Sequence, residues 1–155
     1  MGFDPGTTTT GWGVIEKHSD GNVSYIACGV ISTEPGAEEG RLKMIYEDCR
    51  TLIKIHKPQV AAVEKLFFNT NAKTALEVGQ ARGVIMLAIV QSGLKIHSFT
   101  PLQIKVAVAG YGRADKKQVQ EMVKTLLKLD FIPKPDDAAD ALAVALTNIY
   151  SHKFV

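Results

Sequence analysis

Carboxylates are the side chains of this sequence best placed to do chemistry, and they occur at three points of the chain. Asp4 follows a very short apolar stretch and opens a turn, and Glu64 closes a longer apolar run. Asp137 and Asp140 lie near the start of the last predicted helix. Clustered carboxylates repel one another unless divalent cations neutralise them, and oxygen ligands of this kind suit Mg²⁺ or Mn²⁺. Together these acids predict a metal site that acts on a phosphodiester.

Each acid taken alone has a simpler interpretation. The Asp-Pro-Gly sequence is good turn chemistry, which favours a structural role for Asp4, and Glu64 alone fits a solvated strand end. We predict that Asp136 caps the last helix, where acids also favour the helix dipole. Asp140 lies beyond that first turn, and Asp137 and Asp140, three residues apart, project from one face of the helix. The metal-site hypothesis therefore depends on a fold that brings strand ends and helix together.

Hydrophobic periodicity predicts the elements that must position the acids. The predicted strands are 1–3, 11–17, 23–31, 60–63 and 95–99, and the predicted helices are 42–56, 72–91, a short one from 101, 116–129 and 137–150. The hairpin signal Asp20-Gly21 indicates that the first three strands form an antiparallel meander. Later strands linked through helices imply parallel crossovers. The sequence thus predicts an α/β fold with a mixed five-stranded sheet and helices on both faces, whose carboxyl edge is where ligand sites lie.

Composition suits a single domain over residues 1–155, because 46% of the 155 residues are hydrophobic. The longest apolar run, 84–90, is too short to span a membrane, and no signal peptide is recognised, so we expect a cytoplasmic protein with no membrane partner. Cys28 and Cys49 belong to no C-x-x-C pair, which favours free thiols over a disulfide. The four histidines lack the spacing of a zinc site.

The charge is unevenly distributed along the chain. The overall formal net charge is only +2, but residues 101–128 carry six bases and two acids. The six bases are Lys105, Arg113, Lys116, Lys117, Lys124 and Lys128. Such a segment is typical of a phosphate-binding surface, and an ordinary solvated helix face explains it equally well.

Short sequences spread along essentially the whole chain resemble those of one enzyme family. They are Asp4-Pro5-Gly6-Thr7 with Gly11-Trp12-Gly13-Val14, Val63-Glu64-Lys65-Leu66-Phe67, Gly79-Gln80-Ala81-Arg82-Gly83, Gln118-Val119-Gln120 and Asp137-Ala138-Ala139-Asp140-Ala141-Leu142-Ala143. In type and order they are similar to the motifs of the RuvC family of bacterial Holliday-junction resolvases. Any one of them is a weak signal, and together they are specific.

The resemblance implies an RNase H-like fold, a homodimer and Mg²⁺-dependent cleavage of four-way DNA junctions, with Mn²⁺ as a substitute. It implies symmetric two-metal hydrolysis that leaves 5′-phosphate and 3′-hydroxyl ends, in recombination and repair, beside a branch-migration motor complex. The family's four catalytic, metal-binding acids fall on Asp4, Glu64, Asp137 and Asp140. Ala143 stands near the position where some relatives have a histidine, which implies the variant with carboxylates only.

The resemblance also suggests DNA contacts. An aromatic residue after the second acid contacts bases in the family, and here it is Phe67 or Phe68; the alternative is an aromatic that packs on its own domain. Lys105 and Lys116 match basic positions near the DNA. By charge alone, the further candidates for phosphate contacts are Lys73, Arg82, Arg113 and Lys117.

One long predicted helix bears on assembly. The helix predicted from Ala72 is apolar nearly all round after Gly83, so it needs burial on more than one side, by a second subunit or by later helices of the same chain.

Only three residues precede Asp4, fewer than the five or so of an average strand. Because the family's first strand is longer, we expect Asp4 to be held loosely.

Three other functions stay open at this stage. The stretch from Asp4 to Thr9 resembles a phosphate-gripping loop of the actin and sugar-kinase superfamily, which also requires a second domain and a second glycine-rich loop. A nuclease of the same fold acting on RNA or on other branched DNA is the second. A structure-specific DNA-binding module without catalysis is the third.

Overall fold

The computed structural model describes residues 1–67 and 71–151. The strands are β1 (Gly2–Asp4), β2 (Thr9–Lys17), β3 (Val23–Ser32), β4 (Val60–Glu64) and β5 (Lys95–Phe99), and the helices are α1 (Glu38–His56), α2 (Ala72–Gln91), α3 (Pro101–Ala109), α4 (Lys116–Leu126) and α5 (Asp136–Ser151). The predicted elements are therefore confirmed in type and order. Helix α4 ends three residues earlier than predicted, because Lys128 takes a left-handed conformation with a φ of 54° that terminates the helix.

The sheet is mixed and has the strand order β3-β2-β1-β4-β5. Strands β1, β2 and β3 pair antiparallel, while β4 runs parallel to both β1 and β5. This is the RNase H-like arrangement that the resemblance implied, and it makes the shortest strand the central one. Asp4 pairs with Gly11 on one side of β1, and Phe3 pairs with Val63 on the other. The expectation that a short first strand holds Asp4 loosely is therefore wrong, because neighbours pair with both edges of β1.

Helices cover both faces of the sheet, each over its own apolar core. Helices α1 and α2 pack on one face, around Phe3, Val63 and Ile85, which are fully buried. Helix α5 lies on the other face with α3 and α4 behind it, and there Ala62 and Leu142 are fully buried. Alternation along β4 explains the division, since Ala62 points to one core and Val63 to the other.

Glycines in β1 and β2 let α5 approach the sheet far more closely than side chains would permit. A Cβ atom on Gly11 would lie 1.9 Å from the carbonyl oxygen of Asp137, and one on Gly2 would lie 2.2 Å from that of Ala141. The α5 residues on this side are alanines such as Ala138, which is fully buried. The first turns of α5 therefore rest on the strand backbone next to Asp4.

Side chains cap the N-termini of two helices, whereas the cap predicted for a third helix is not formed. Thr100 and Asp115 cap α3 and α4, and each forms a reciprocal capping box with a glutamine three residues later. Asp136 does not cap α5 as predicted. It is the first residue of the helix, since the Ala138 amide already donates to the Pro135 carbonyl, and its carboxylate instead accepts a 3.0 Å hydrogen bond from Lys134 Nζ.

Cys28 and Cys49 are free thiols, as expected. Among the described residues, none of the helices has the length and apolar character needed to cross a membrane.

Candidate active site

Three of the predicted acids meet at the carboxyl edge of the sheet. Asp4, Asp137 and Asp140 each offer a carboxylate oxygen, and these oxygens all lie within 4.8 Å of one another. Asp4 ends β1, while the other two lie in the first turns of α5. The close contact at Gly11, which pairs with Asp4 and touches the backbone of Asp137, accounts for this proximity.

Glu64 joins these three acids through Asp4. It ends β4, the strand parallel to β1, and its carboxylate lies within hydrogen-bonding reach of the Asp4 carboxyl. All four acids are partly buried. The structure therefore brings the four predicted residues to one place, and we call Asp4, Glu64, Asp137 and Asp140 the acid cluster.

Burial and mutual repulsion change the proton affinity of the cluster. The pKa of Asp4 is raised from 3.8 to about 9, mainly by burial and then by the negative charges of Glu64 and Asp140. Burial also raises the pKa of Glu64, although the hydrogen bond with Asp4 opposes this change. Without a cation, Asp4 therefore holds a proton at neutral pH, and its carboxyl group is hydrogen-bonded to that of Glu64. The acid cluster is a set of oxygen donors with too little positive charge around it.

Lys116 supplies part of that charge. Its Nζ lies 3.0 Å from an Asp140 carboxylate oxygen and 3.8 Å from one of Asp136. Burial lowers the pKa of Lys116, but the hydrogen bond to Asp140 and the neighbouring negative charges outweigh it, so the pKa lies above its usual value. Burial raises the pKa of Asp140, although the hydrogen bond from Lys116 and its positive charge oppose this change. The residue predicted to meet DNA thus contacts the acid cluster directly.

The acid cluster lies between two adjoining pockets. The first, which we call the lysine pocket, is lined by Asp4, Glu64, Pro101, Ile104, Lys105, Lys116, Val119, Asp140 and Ala143. The second, the loop pocket, is lined by Asp4, Pro5, Glu64, Lys65, Leu66, Phe67, Asn71, Thr74, Ala75, Val78, Arg82 and Pro101. Asp4, Glu64 and Pro101 belong to both. Basic side chains therefore lie on both sides of the acid cluster, and the exposed aromatic ring of Phe67 lies on the side of the loop pocket.

The other predicted DNA contacts have different surroundings. Phe67 is 58% exposed and lines the loop pocket rather than packing inside the domain, while Phe68 lies outside the described residues. Lys105 is half-buried in the wall of the lysine pocket. Lys73, Arg113 and Lys117 are exposed. These three remain candidates for phosphate contacts on the ground of charge and exposure.

Arg82 differs from those candidates because its guanidinium is engaged inside the protein. Its Nε donates a 3.0 Å hydrogen bond to the carbonyl oxygen of Glu64, and its Nη2 donates a 3.1 Å hydrogen bond to the hydroxyl of Ser98. Sequence reasoning grouped Arg82 with surface bases by charge alone and did not single out Ser98 at all. It also missed Gly11, although a glycine inside a strand often marks close approach of another backbone.

The donor chemistry of the acid cluster fits a hard divalent cation. The four side chains offer carboxylate oxygens only, which are the ligands that such ions prefer. The raised pKa of Asp4 is the mark of a site that lacks positive charge, and binding of a cation would reverse that shift. Among the described residues that line the two pockets, none is a histidine or a cysteine.

Comparison with known proteins gives one consistent family. Residues 1–148 match the family model for "Crossover junction endodeoxyribonuclease RuvC". The RuvC proteins of Caldanaerobacter subterraneus subsp. tengcongensis and Halothermothrix orenii are 48% and 53% identical to the chain. These alignments cover 100% and 99% of the chain and 94% and 93% of the relatives.

Solved structures agree with the sequence comparison. The RuvC of T. thermophilus in complex with a Holliday junction substrate superposes with a TM-score of 0.91 at 33% identity, covering 99% of this chain and 93% of that one. The yeast mitochondrial Holliday junction resolvase has a TM-score of 0.70, with 99% and 83% coverage, but at 13% identity it supports the fold alone. The sheet and its acid cluster define an RNase H-like domain with a nuclease type of site. The chain belongs to the RuvC family of crossover junction endodeoxyribonucleases. It is therefore not one of the phosphotransferases of related fold.

Proposed function

We propose that this protein resolves four-way DNA junctions by hydrolysing one phosphodiester in each of two symmetric strands, with Mg²⁺ as cofactor. The products are 5′-phosphate and 3′-hydroxyl ends, and the reaction serves homologous recombination and DNA repair. One observation carries the proposal: four partly buried carboxylates converge at the carboxyl edge of an RNase H-like sheet in a chain that matches a junction endonuclease family over residues 1–148.

The acid cluster would hold two Mg²⁺ ions, and Mn²⁺ would substitute for them in the test tube. Asp4 is the central member, because its carboxyl group lies near both Glu64 on β4 and the α5 pair, and it would hold the cations together with these three acids. When bound, the ions supply positive charge to the scissile phosphate and to the leaving oxygen. Bound cations would favour the ionised form of Asp4, and Lys116, whose Nζ lies 3.0 Å from an Asp140 oxygen, would add positive charge beside them.

The two pockets give the DNA its path across the acid cluster. Lys105 and Lys116 stand on one side, where they would meet phosphate oxygens, and the exposed ring of Phe67 stands on the other, where an unstacked base would stack. The T. thermophilus RuvC was solved with a Holliday junction substrate, which makes the same class of DNA the expected substrate here. Phe68 stays an alternative for the base contact.

A homodimer is part of the proposal because two symmetric nicks require two sites. The surface of α2 leaves Leu76, Leu87 and Val90 between 49% and 64% exposed. Later helices of the same chain do not cover these positions, so a second copy is the partner that best explains the apolar character of α2. A branch-migration motor complex and a cytoplasmic location are expected from the family resemblance.

The test is cleavage of an end-labelled synthetic four-way junction in Mg²⁺, beside a linear duplex, a flap and an RNA–DNA hybrid of the same sequence. We expect paired symmetric nicks in the junction alone, none in EDTA, and religation of the products by DNA ligase, which needs a 5′-phosphate and a 3′-hydroxyl. Equal cutting of the flap or the hybrid would contradict the proposed substrate. Junction binding without cutting would show a DNA-binding module instead.

A further inference from the structure

The backbone carbonyl of Glu64 lacks the strand partner that the sheet would normally supply. In the ladder between β1 and β4, the Ala62 amide donates to the Met1 carbonyl, with Gly2 and Phe3 opposite Ala62 and Val63. Parallel ladders repeat every two residues, so the Glu64 carbonyl falls where the amide of residue 5 would donate to it. Residue 5 is a proline, which has no N–H.

Arg82 provides the missing donor from a different element. Its Nε lies 3.0 Å from the Glu64 carbonyl oxygen, and its Nη2 lies 3.1 Å from the hydroxyl of Ser98 on β5. Ser98 pairs with Val63, the residue before Glu64. The planar guanidinium therefore spans from α2 to the ends of two adjacent strands with two fixed hydrogen bonds.

We propose that Arg82 is a positioning residue, which holds the end of β4 so that the Glu64 carboxylate is directed at the acid cluster. The inference rests on the proposed function in one respect, the role of Glu64 as a metal ligand. On the β5 side, the end of β4 is held by the Lys65 amide, which donates a 2.8 Å hydrogen bond to the Phe99 carbonyl. On the β1 side, Arg82 takes the place of the strand donor at Glu64. Loss of a group that orients a metal ligand commonly lowers metal affinity about 10–100-fold.

The competing interpretation is a phosphate contact, since Arg82 lines the loop pocket. The two roles make opposite demands on the side chain. A phosphate contact requires the positive charge, whereas the positioning role requires a donor at the ε position of the side chain. The amide nitrogen of glutamine stands at that same position without charge, and the ammonium of lysine keeps the charge one atom further out.

Three substitutions therefore separate the roles: Arg82→Gln keeps the donor, Arg82→Lys keeps the charge and Arg82→Met keeps neither. We would measure Mn²⁺ affinity of the DNA-free protein by electron paramagnetic resonance, and junction affinity in EDTA by fluorescence anisotropy. Positioning predicts that Arg82→Met weakens Mn²⁺ binding about 10-fold or more, that Arg82→Gln loses less than Arg82→Lys, and that junction affinity changes little in all three.

A phosphate contact predicts the reverse order. Junction affinity would then fall equally in Arg82→Gln and Arg82→Met, with Arg82→Lys close to the wild type and Mn²⁺ affinity unchanged, and that result would overturn the inference. Lys54→Gln serves as the control, because Lys54 is an exposed base on α1 that belongs neither to the acid cluster nor to the candidate DNA contacts.

Ser98→Ala keeps the inference testable where Arg82→Met proves too unstable to measure. It removes one of the two anchors of the guanidinium and should weaken Mn²⁺ binding in the same direction by a smaller factor. Wild-type Mn²⁺ affinity in Ser98→Ala and Arg82→Lys alike would contradict the positioning role. Should the wild-type protein bind no Mn²⁺ at all, the proposed metal site fails instead, and with it the proposed function.

Discussion

The two faces of the sheet contact their helices in different ways. On the face covered by α1 and α2, large side chains such as Phe3, Ile45 and Ile85 fill the space between sheet and helices, and all three are fully buried. On the face covered by α5, the contact is made by backbone on backbone, at Gly11 and Asp137 for example. The acids that α5 contributes to the active site lie on the second face only.

The difference shows how stability and precision are divided in this molecule. A fully buried large aliphatic or aromatic side chain contributes about 1.5–3 kcal/mol to folding, which glycine and alanine cannot match. A contact between backbones, however, fixes the distance between strand and helix directly, because no side chain can rotate to absorb an error. The α1–α2 face therefore depends on side-chain burial alone, whereas the α5 face, which also buries Leu142 and Leu146, sets the geometry of the acid cluster through its backbone contacts.

The largest effect is expected from an acid on the α5 face. Asp140→Asn should lower junction cleavage in Mg²⁺ by about 1,000-fold, or about 4 kcal/mol, because a neutral amide cannot replace the charge of a metal ligand. Junction affinity in EDTA should be kept. Asp130→Asn, an exposed acid outside the cluster, is the control. Normal cleavage by Asp140→Asn would remove this residue from the site.

A smaller but still large effect should follow from disturbing the close contact itself. The new Cβ of Gly11→Ala would meet the Asp137 carbonyl at 1.9 Å, so α5 has to move away from β2. A displacement of about 1 Å at a reacting centre costs about 100-fold in rate. Gly40→Ala, whose Cβ meets nothing within 4 Å, should leave cleavage as it is. Equal rates for the two variants would break the comparison between the faces.

A substitution on the α1–α2 face should affect stability and not the reaction. Ile45→Ala creates a cavity in a fully buried position and should lower the free energy of unfolding by about 2–5 kcal/mol. Urea unfolding monitored by circular dichroism measures that loss. Cleavage at a temperature where the variant remains folded should match the wild type. A slower reaction in the fully folded variant would show that this face also positions the acids.

The acid cluster should cost the metal-free protein stability in a way that depends on pH. The pKa of Asp4 is raised from 3.8 to about 9 in the folded state, so the native protein binds more protons than the unfolded chain between these values. Its free energy of unfolding therefore falls as the pH rises from about 4 to about 9. Asp4→Asn, which cannot ionise, should raise the Tm at pH 8 by about 3 °C, equivalent to about 1 kcal/mol.

Thermal melts in EDTA at several pH values check this expectation. The advantage of Asp4→Asn should vanish well below pH 3.8, the unfolded-state pKa, where the wild-type acid is neutral in both states. Mg²⁺ should raise the Tm of the wild-type protein more than that of the variant. A variant less stable than the wild type at pH 8 would contradict the raised pKa of Asp4.

The smallest effect is expected from an exposed base near the start of α4. Lys117→Gln should weaken junction binding about threefold and reduce the slope of log affinity against log salt by about 1, as the loss of one phosphate contact does. Binding titrations at several salt concentrations measure both quantities. Lys17→Gln lies at the opposite edge of the sheet and is the control. An unchanged slope would mean that Lys117 faces solvent.

Local patterns were sufficient to predict the elements and the four acids. The alternation of apolar residues and the Asp-Gly hairpin signal depend on neighbours within a few residues, and the strands and helices follow them closely. The spacing of Asp137 and Asp140 predicted a shared face, and both lie in the acid cluster. Two predictions that failed concern helix α5 and strand β1. Asp136 does not cap α5, and β1 is held by β2 and β4, which its own few residues could not indicate.

The amino-acid sequence by itself determined the order of elements, the family and the candidate acids, because these depend on residue type and local spacing. Only the tertiary structure decided what the long polar side chains do. Lys116 and Arg82 have the charge of DNA contacts, yet one binds Asp140 and the other the Glu64 carbonyl. A flexible side chain can reach many partners, and the partner it meets depends on the distance between elements that are remote in sequence. In the first case, the glycines beneath α5 set that distance. In the second, a proline leaves one carbonyl without its strand partner, and the arginine meets it.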